Sequence, residues 1–314
     1  MSPKSTTLKL LLPLLLICWS IFGSVAAAQE IRWKFSADDE FLVTQKQTTN
    51  METLVEKRKS ILGSSVELSA AWKVNSVEGD VALVDQTIES IKVNIDNPAD
   101  NTKSVAIDTA SDMRPAKNSR ELLKQLQPLV GMVFQLKLNT RGEVLSVDVP
   151  DETKKRLDDI PTDSWLKALL DPGKLQGQIQ SSSLPLPETE LKKGQSVAIE
   201  PPANPATITA APLGKRKMTY IGQKSTDGLE LDVFSLSTVE KFDAAKAIPL
   251  GETATANQPD IATFEWDGKL RFDRESGHYV DCQQQTTITT SRSYRDMEIT
   301  TSVLVESVFK LERK

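Results

Sequence analysis

The sequence predicts a mainly β protein with short helices, an α+β fold of two similar curved antiparallel β-meander lobes. Three observations predict it. Apolar and polar residues alternate with a period of two along most of the chain. Gly, Asn and Asp mark tight turns between the alternating stretches. Similar turns recur in the same order in both halves, which indicates an internal duplication. The predicted division is a signal peptide at 1–28, an N-terminal lobe at 29–175, a linker at 176–190 and a C-terminal lobe at 191–314.

Residues 1–28 have the pattern of a cleavable secretory signal peptide. Lys4 and Lys9 precede an apolar run at 10–22, and the small residues that follow end at Ala28, so we expect cleavage before Gln29. The run is shorter than the roughly 20 residues of a membrane-spanning helix. We therefore expect a periplasmic or secreted protein with no membrane span in the mature chain.

The two cysteines have different predicted roles. Cys18 lies inside the apolar run, but Ile17 before it is not the small residue that lipid attachment requires. The mature chain keeps only Cys282, which excludes an internal disulfide. Its strand-like context, 280–283, predicts a buried small hydrophobic residue and not a nucleophile.

The charge balance argues against a nucleic-acid partner. The chain has 38 basic and 43 acidic residues, a net charge of −5. Removal of 1–28 takes away two lysines and no acid, which leaves −7. Such a chain repels nucleic acid and anionic lipid. The densest basic run, Lys215-Arg216-Lys217, is predicted to be a solvated turn or strand edge.

The N-terminal lobe begins with alternating stretches. Strands are predicted at 31–35 and 40–49, followed by a long hairpin at 65–95 that turns at Glu78-Gly79-Asp80. The alternation changes phase after Thr87, which predicts a β-bulge or bend.

Short helices and a second hairpin complete this lobe. Apolar spacing predicts helices at 118–127, 151–159 and 162–170. Between the first two helices, strands at 134–138 and 144–149 flank a tight turn at 139–142. The polar stretch 176–190 then contains three consecutive serines and Leu184-Pro185-Leu186-Pro187, which is typical of an extended linker.

Six further strands are predicted in the C-terminal lobe, at 196–200, 217–222, 229–239, 262–272, 278–290 and 297–311. The stretch 283–291 consists only of Gln, Thr, Ile and Ser. One interpretation is an ordinary solvent-facing strand with high β propensity. The other is a docking surface or an edge that pairs with another chain.

Three pairs of features support the duplication. Residues 33–41 share a strand-turn-strand outline with 191–197, and the acid-glycine turn of 75–83 resembles that of 224–231. The hairpin turn at 136–142 resembles the turn at 270–277. Hairpins favour these residue types everywhere, so the identical order of the three features carries the prediction.

The chain also resembles a family of exported bacterial proteins of unknown function, known mainly from planctomycete-type genomes. The resembling features are Arg32-Trp33-Lys34-Phe35, the junction from Leu184-Pro185-Leu186-Pro187 to Lys193-Gly194, and the hairpin from Phe272-Asp273 to Gly277. They span most of the mature chain. The resemblance implies export but transfers no functional residue.

The candidates for catalysis are few. His278 is the only histidine, which excludes a two-histidine metal site and leaves one candidate base for a Ser–His–acid triad. Its place after a turn glycine predicts an exposed turn residue. Acids cluster at Asp38-Asp39-Glu40, Asp158-Asp159 and Glu265/Asp267, and each cluster is interpreted as structural. We therefore predict no catalytic, cofactor-binding or metal-binding residue.

Three functional hypotheses remain. The first is a non-catalytic binding or scaffold protein of the cell envelope, whose curved sheets hold an apolar ligand or a partner segment. The second is a hydrolase that uses carboxylates alone. The third is an assembly subunit that joins other chains through its sheet edges. An apolar cavity, a pair of facing acids, or a stable oligomer would each favour one of them.

Overall fold

A computed structural model describes residues 31–98, 103–113, 115–160, 172–199, 216–226, 228–242, 261–294 and 297–314. The chain divides into two compact units, Met1–Ile31 and Arg32–Lys314, and the fold below is that of the second. The predicted signal peptide and the predicted helix at 162–170 lie outside the described residues.

The described elements are mostly strands. The strands are β1 (Glu40–Val55), β2 (Arg58–Glu78), β3 (Val81–Asp96), β4 (Val105–Asp108), β5 (Val133–Asn139), β6 (Val144–Asp148), β7 (Ser196–Ile199), β8 (Arg216–Thr226), β9 (Leu229–Phe242), β10 (Ile261–Asp273), β11 (His278–Tyr294) and β12 (Met297–Arg313). The α-helices are α1 (Arg120–Leu126), α2 (Asp151–Asp158) and α3 (Pro172–Ser182).

All twelve described strands belong to one antiparallel sheet. Its order is β6-β5-β3-β2-β1-β12-β11-β10-β9-β8-β7, and β4 pairs with the far half of β3. The mainly β, antiparallel prediction is confirmed. The two predicted lobes are halves of one sheet, because β1 pairs with β12 along Phe41–Val55. The internal duplication stays a prediction.

Several local predictions are confirmed. The β2–β3 hairpin turns at Gly79, whose φ is +59°. The predicted change of phase after Thr87 is a β-bulge, because Ser69 pairs with Ser90 and Ala70 with Ile88, which leaves Glu89 without a partner in the register. Helices α1 and α2 lie within the predicted stretches.

The predicted strand at 31–35 is wrong. Residues 31–36 belong to no strand. Instead, the Trp33 amide donates to the carbonyl of Thr140 at 2.7 Å, and the Lys34 amide donates to the carbonyl of Gly277 at 2.8 Å. Consecutive residues thus bridge the β5–β6 turn and the β10–β11 turn. The alternation correctly predicted an extended backbone for this segment, but the segment forms hydrogen bonds with turns and not with a neighbouring strand.

The predicted linker at 176–190 is also partly wrong, because residues 172–182 form α3. Leu175 and Ile179 are spaced four residues apart and share a helix face, and Ile179 is only 3% exposed. Burial of that face outweighs the weak helix propensity of the glycine and serines. The part that contains Pro185 and Pro187 remains extended, as predicted.

The sheet curls around α3. Gln180 accepts a bond from the Val144 amide of β6 at 2.6 Å, whereas the carbonyl of the next residue, Ser181, accepts one from Gln284 of β11 at 2.9 Å. Six strand spacings of about 4.8 Å would put β6 and β11 roughly 29 Å apart in a flat sheet. Adjacent helix residues reach both strands only because the sheet is strongly curved. The face toward α3 is therefore concave and is called the inner face below.

The inner face carries the core at the end of the sheet that contains the Trp33 segment. The segment after α3 closes this end, since Leu184 and Leu186 are fully buried. The Tyr279 hydroxyl donates to the carbonyl of Leu184, and the Tyr279 ring meets Trp33 edge-on at 4.7 Å. The other large core side chains are Phe41, Trp72, Phe134, Leu136, Phe234, Leu270, Phe272 and Phe309.

The packing of Trp33 on the β5–β6 turn predicts a position-specific cost for alanine. A Cβ at Gly142 would lie 2.4 Å from Trp33 Nε1, and φ there is +76°. Gly79 has a similar φ of +59° but nothing within 4 Å of its Cβ position. We expect Gly79→Ala to cost about 1 kcal/mol through backbone strain alone. Gly142→Ala should cost about 1–3 kcal/mol more, because Trp33 must move. Urea unfolding of both variants measures the difference, and equal costs would contradict this packing.

Candidate functional site

The inner face continues beyond the core along the long strands β10, β11, β12, β1 and β2. Residues that pair in register lie side by side on one face. One such row is Trp266–Thr286–Val305–Thr49–Ser64. The next is Phe264–Ile288–Val303–Met51–Leu62. Neither row contains an acid or a base.

The neighbouring inner rows on these five strands are uncharged as well. The row on the core side is Gly268–Gln284–Ser307–Gln47–Val66, and the row toward the strand tips includes Thr290–Thr301–Thr53–Ser60. The apolar members of the inner rows, with small uncharged residues between some of them, form a surface that we call the inner patch. It consists of Met51, Leu62, Val66, Phe264, Trp266, Ile288, Val303 and Val305.

The opposite, outer face of the same strands is charged. Register places Lys269, Gln283, Val308, Lys46 and Glu67 in one outer row. The following row adds Asp267 and Glu306. The strands are therefore amphipathic across the sheet: the outer face suits water, and the inner face suits an apolar contact.

The inner patch has a deep end and an open end. Phe264 and Trp266 on β10 are each 1% exposed. Leu62 and Val66 on β2 are 36% and 44% exposed. The residues between them on β11, β12 and β1 are half-buried. An apolar surface of this extent that stays in contact with water is typical of a binding site.

Gln284 fixes the deep end against α3. Trp266 Nε1 donates to Gln284 Oε1 at 3.1 Å, and Gln284 Nε2 donates to the Ser181 carbonyl at 2.9 Å. This gives one residue of the 283–291 stretch a structural role. The interpretation of that stretch as a free edge is wrong, because β11 pairs with β10 on one side and β12 on the other.

Arg216 is a cation at the deep end of the patch. Its guanidinium carbon lies 4.8 Å from the centroid of the Trp266 ring and 5.6 Å from that of Phe264. Burial lowers the pKa of Arg216 to about 10, so the side chain stays charged at neutral pH. Among the described residues, Arg216 Nε has no hydrogen-bond partner.

The sequence prediction missed Arg216 as a site residue, because it treated 215–217 as one solvated basic run. A signal was present in the alternation. Arg216 precedes Met218 by two residues, and Met218 is fully buried on the inner face, in register with Leu236. Period two therefore places Arg216 on the inner face and Lys217 on the outer face.

The structure brings none of the candidate acid clusters together into a facing pair. Asp39 is 8% exposed, accepts a bond from the Ser36 amide at 2.8 Å and pairs with Arg313. Asp158 and Asp159 are at the end of α2. Glu265 and Asp267 lie exposed on the outer face of β10. Within the described ranges no three His, Cys, Asp or Glu side chains gather closely enough to hold a metal ion.

A buried ion pair lies beside the core and has a structural explanation. Asp232 is fully buried and receives two bonds from Arg274, at 2.8 and 2.9 Å, and one from the Tyr220 hydroxyl at 2.6 Å. Burial, together with the bond to Asp232, raises the pKa of Tyr220 to about 12. The acid is satisfied by these partners, so the cluster joins β8, β9 and the β10–β11 turn.

The environments of Cys282 and His278 are those of packing residues. Cys282 is fully buried, as predicted, and burial raises the pKa of its thiol to about 12. His278 is half-buried and not an exposed turn residue. It meets Phe41 edge-on at 5.5 Å. Burial lowers the pKa of His278, against the opposing effect of a hydrogen bond that the imidazole donates to the backbone of Ser276.

Fold and site together define a single curved antiparallel sheet with a charged outer face and an apolar, partly open inner face. No protein-family model matches the chain, and no curated protein matches it. Lipovitellin, in a structure of its lipid–protein interactions, is similar with 10% identity and a TM-score of 0.44; 90% of this chain is covered, but only 25% of the lipovitellin chain.

Two bacterial structures are similar at a lower level. An outer membrane channel from Pseudomonas putida F1 has 9% identity and a TM-score of 0.23, with 89% of this chain and 97% of the channel covered. A DUF1329 family protein from Desulfovibrio piger has 5% identity and a TM-score of 0.13, with 86% and 85% covered. Scores this low carry no argument about function. Among the described residues, no helix combines the length and apolarity that crossing a membrane requires.

The burial of His278 predicts a pH dependence of stability. Its folded-state pKa is lowered from the ordinary 6.5, so the unfolded chain binds this proton more tightly. The resulting stability is present above pH 6.5 and is lost as pH falls through the folded-state pKa. One group limits the slope to about 1.4 kcal/mol per pH unit. We expect urea unfolding between pH 8 and 5 to show a smaller loss of stability in His278→Gln than in the parent. Parallel curves would contradict the prediction.

Proposed function

We propose that this chain is an exported, non-catalytic binding protein of the cell envelope that holds an apolar ligand on its concave inner face. One observation carries the proposal: four successive inner rows of β10, β11, β12, β1 and β2, from Gly268–Val66 to Thr290–Ser60, are uncharged, whereas the outer rows of the same strands carry both acids and bases. Export is supported by the pattern of residues 1–28, and membership of the planctomycete-type family remains part of this proposal.

The energetics suit a ligand that covers the open part of the patch. Removal of roughly 200 Å² of apolar surface from water contributes about 5 kcal/mol. Association and ordering costs subtract several kcal/mol from that gain. A ligand must therefore cover the half-buried middle of the patch as well as Leu62 and Val66. The sheet curvature favours this, because a concave face contacts more of a bound chain than a flat one does.

The other two hypotheses have less support. Assembly through sheet edges would use β6 and β7, which have only five and four residues. A carboxylate hydrolase needs two acids that face one substrate, and the candidate acids lie apart or on the outer face.

Tandem duplication would explain why both halves of the sheet are simple meanders, and it stays a proposal about the origin of the fold.

The test is a charge introduced on either face of β12. Val303 lies on the inner face between Met51 and Ile288, and its neighbour Leu304 lies on the outer face between Asn50 and Thr287. Both are half-buried. We expect the purified protein to bind the neutral fluorophore Nile red, and Val303→Glu to weaken binding at least tenfold because a carboxylate would be desolvated. Leu304→Glu is the matched control and should change the affinity by less than about twofold.

Three outcomes would overturn the proposal. One is absence of Nile red binding by a protein that unfolds cooperatively in urea. Another is a stable oligomer in native mass spectrometry that Val303→Glu dissociates, because the inner patch would then be covered by a second copy. Equal effects of the two glutamates on binding would also contradict it, since the probe would then not distinguish the faces.

A further inference from the structure

A cation beside the deep end of the inner patch identifies the kind of apolar ligand. The four inner rows described above, from Gly268–Val66 to Thr290–Ser60, contain no acid or base, yet Arg216 of β8 lies over the rings of Trp266 and Phe264, at 4.8 and 5.6 Å. A purely apolar ligand gains nothing from a charge at this point. A cation at one end of an apolar surface is the arrangement that recognises an amphiphile with a negative head.

The hydrogen-bonding capacity of Arg216 is only partly used. The rings of Trp266 and Phe264 attract the flat guanidinium but accept none of its in-plane N–H groups. Nε has no hydrogen-bond partner among the described residues, and no described acid forms a salt bridge with this side chain. A buried donor without a partner costs about 1–3 kcal/mol, more when it is charged. A ligand anion would remove that cost.

The charge and geometry favour a carboxylate over a phosphate. A single guanidinium lies over the two rings and balances one negative charge, and the following residue, Lys217, lies on the outer face. A guanidinium edge matches a planar carboxylate with two parallel N–H···O bonds. A phosphate near pH 7 carries up to two charges and needs more donors than this site offers.

The dimensions of the patch set the length of the apolar part. From Trp266 on β10 to Leu62 and Val66 on β2 there are four strand spacings, roughly 19 Å at about 4.8 Å each. Carbon–carbon bonds of about 1.5 Å in a zigzag advance a little over 1 Å per atom. An extended chain of roughly sixteen carbons therefore crosses the patch once.

We propose that the inner patch binds a long-chain carboxylic acid, with its carboxylate against Arg216 and its chain laid across β10, β11, β12, β1 and β2 toward Leu62 and Val66. This rests on the proposed function, because it names the ligand class of the same site. The head lies at the deep end, where few waters compete, and the tail end lies at the more exposed strand β2.

The experiment compares two ligands that differ only in their head. Palmitate and hexadecanol are titrated, below their aggregation concentrations, as competitors of Nile red bound to the purified protein at pH 7.5. We expect palmitate to bind at least tenfold more tightly than hexadecanol. In Arg216→Gln this ratio should fall to within about twofold of unity, while hexadecanol affinity stays within about twofold of the parent.

Matched variants identify the source of the effect. Lys217→Gln removes the neighbouring charge on the outer face and should leave the ratio unchanged. Arg216→Lys keeps the charge but loses the planar fork, so the ratio should fall only partly. Glu240 is paired in register with Phe264 on β9, and Glu240→Gln should leave palmitate affinity within about twofold. A tenfold rise in Glu240→Gln would show that Arg216 has a partner within the chain, and would overturn the inference.

This experiment distinguishes failure of the carboxylate inference from failure of the proposed function. Equal affinities for palmitate and hexadecanol in the parent protein overturn the carboxylate inference but leave the apolar site intact, and this comparison needs no variant. Tighter binding of hexadecyl phosphate than of palmitate also overturns it. If neither ligand displaces Nile red, or Nile red itself does not bind, the proposed function fails as well.

Discussion

The pairing of β1 with β12 is the interaction on which the rest of the structure depends. It joins the first long strand to the last one along Phe41–Val55 and turns two meanders into one sheet. Every inner row crosses this pair, so the row Phe264–Ile288–Val303–Met51–Leu62 exists only in this register. A slip of one residue would place Leu304 opposite Met51 and turn one half of the patch toward the outer face. The burial of Phe41, Val43, Phe309 and Leu311 at the core end opposes such a slip.

The curvature of the sheet makes the face that this pairing creates concave. Hydrogen bonds join Gln180 and Ser181, adjacent residues of α3, to β6 and β11. Hydrogen bonds from Trp33 and Lys34 join the β5–β6 turn to the β10–β11 turn. Both sets of hydrogen bonds lie on the inner side and close the core end of the sheet. Beyond α3 the strands continue without a described cover, and the same alternation that fills the core presents an apolar, half-buried surface. Core and candidate site are therefore two parts of one face.

Local features of this fold were predictable from the sequence, and long-range ones were not. The Glu89 bulge and the Gly79 and Gly142 turns are encoded within a few residues, through phase changes and positive-φ glycines. The β1–β12 pairing joins residues more than 240 positions apart, and alternation does not specify which strands become neighbours. The errors at 31–35 and 176–182 have one origin: tertiary hydrogen bonds and burial decided the structure against local propensity. Arg216 was missed because the predicted strand began at 217 and left Arg216 in a solvated basic run.

The position of Arg216 is better explained by ligand recognition than by stability. Stacking on Trp266 contributes roughly 0.5–2 kcal/mol, which does not exceed the usual cost of removing a guanidinium from water. A leucine or methionine at the same place would cover Phe264 and Trp266 without that cost. Gln284 already satisfies Trp266 Nε1 and holds the ring against α3, so Arg216 is not needed to orient the indole. An arginine adds a fixed positive charge at this place. Burial lowers the pKa of Arg216 to about 10, and the guanidinium stays protonated at neutral pH. In such a low-dielectric surrounding a single anion gains more from the charge than it would in water.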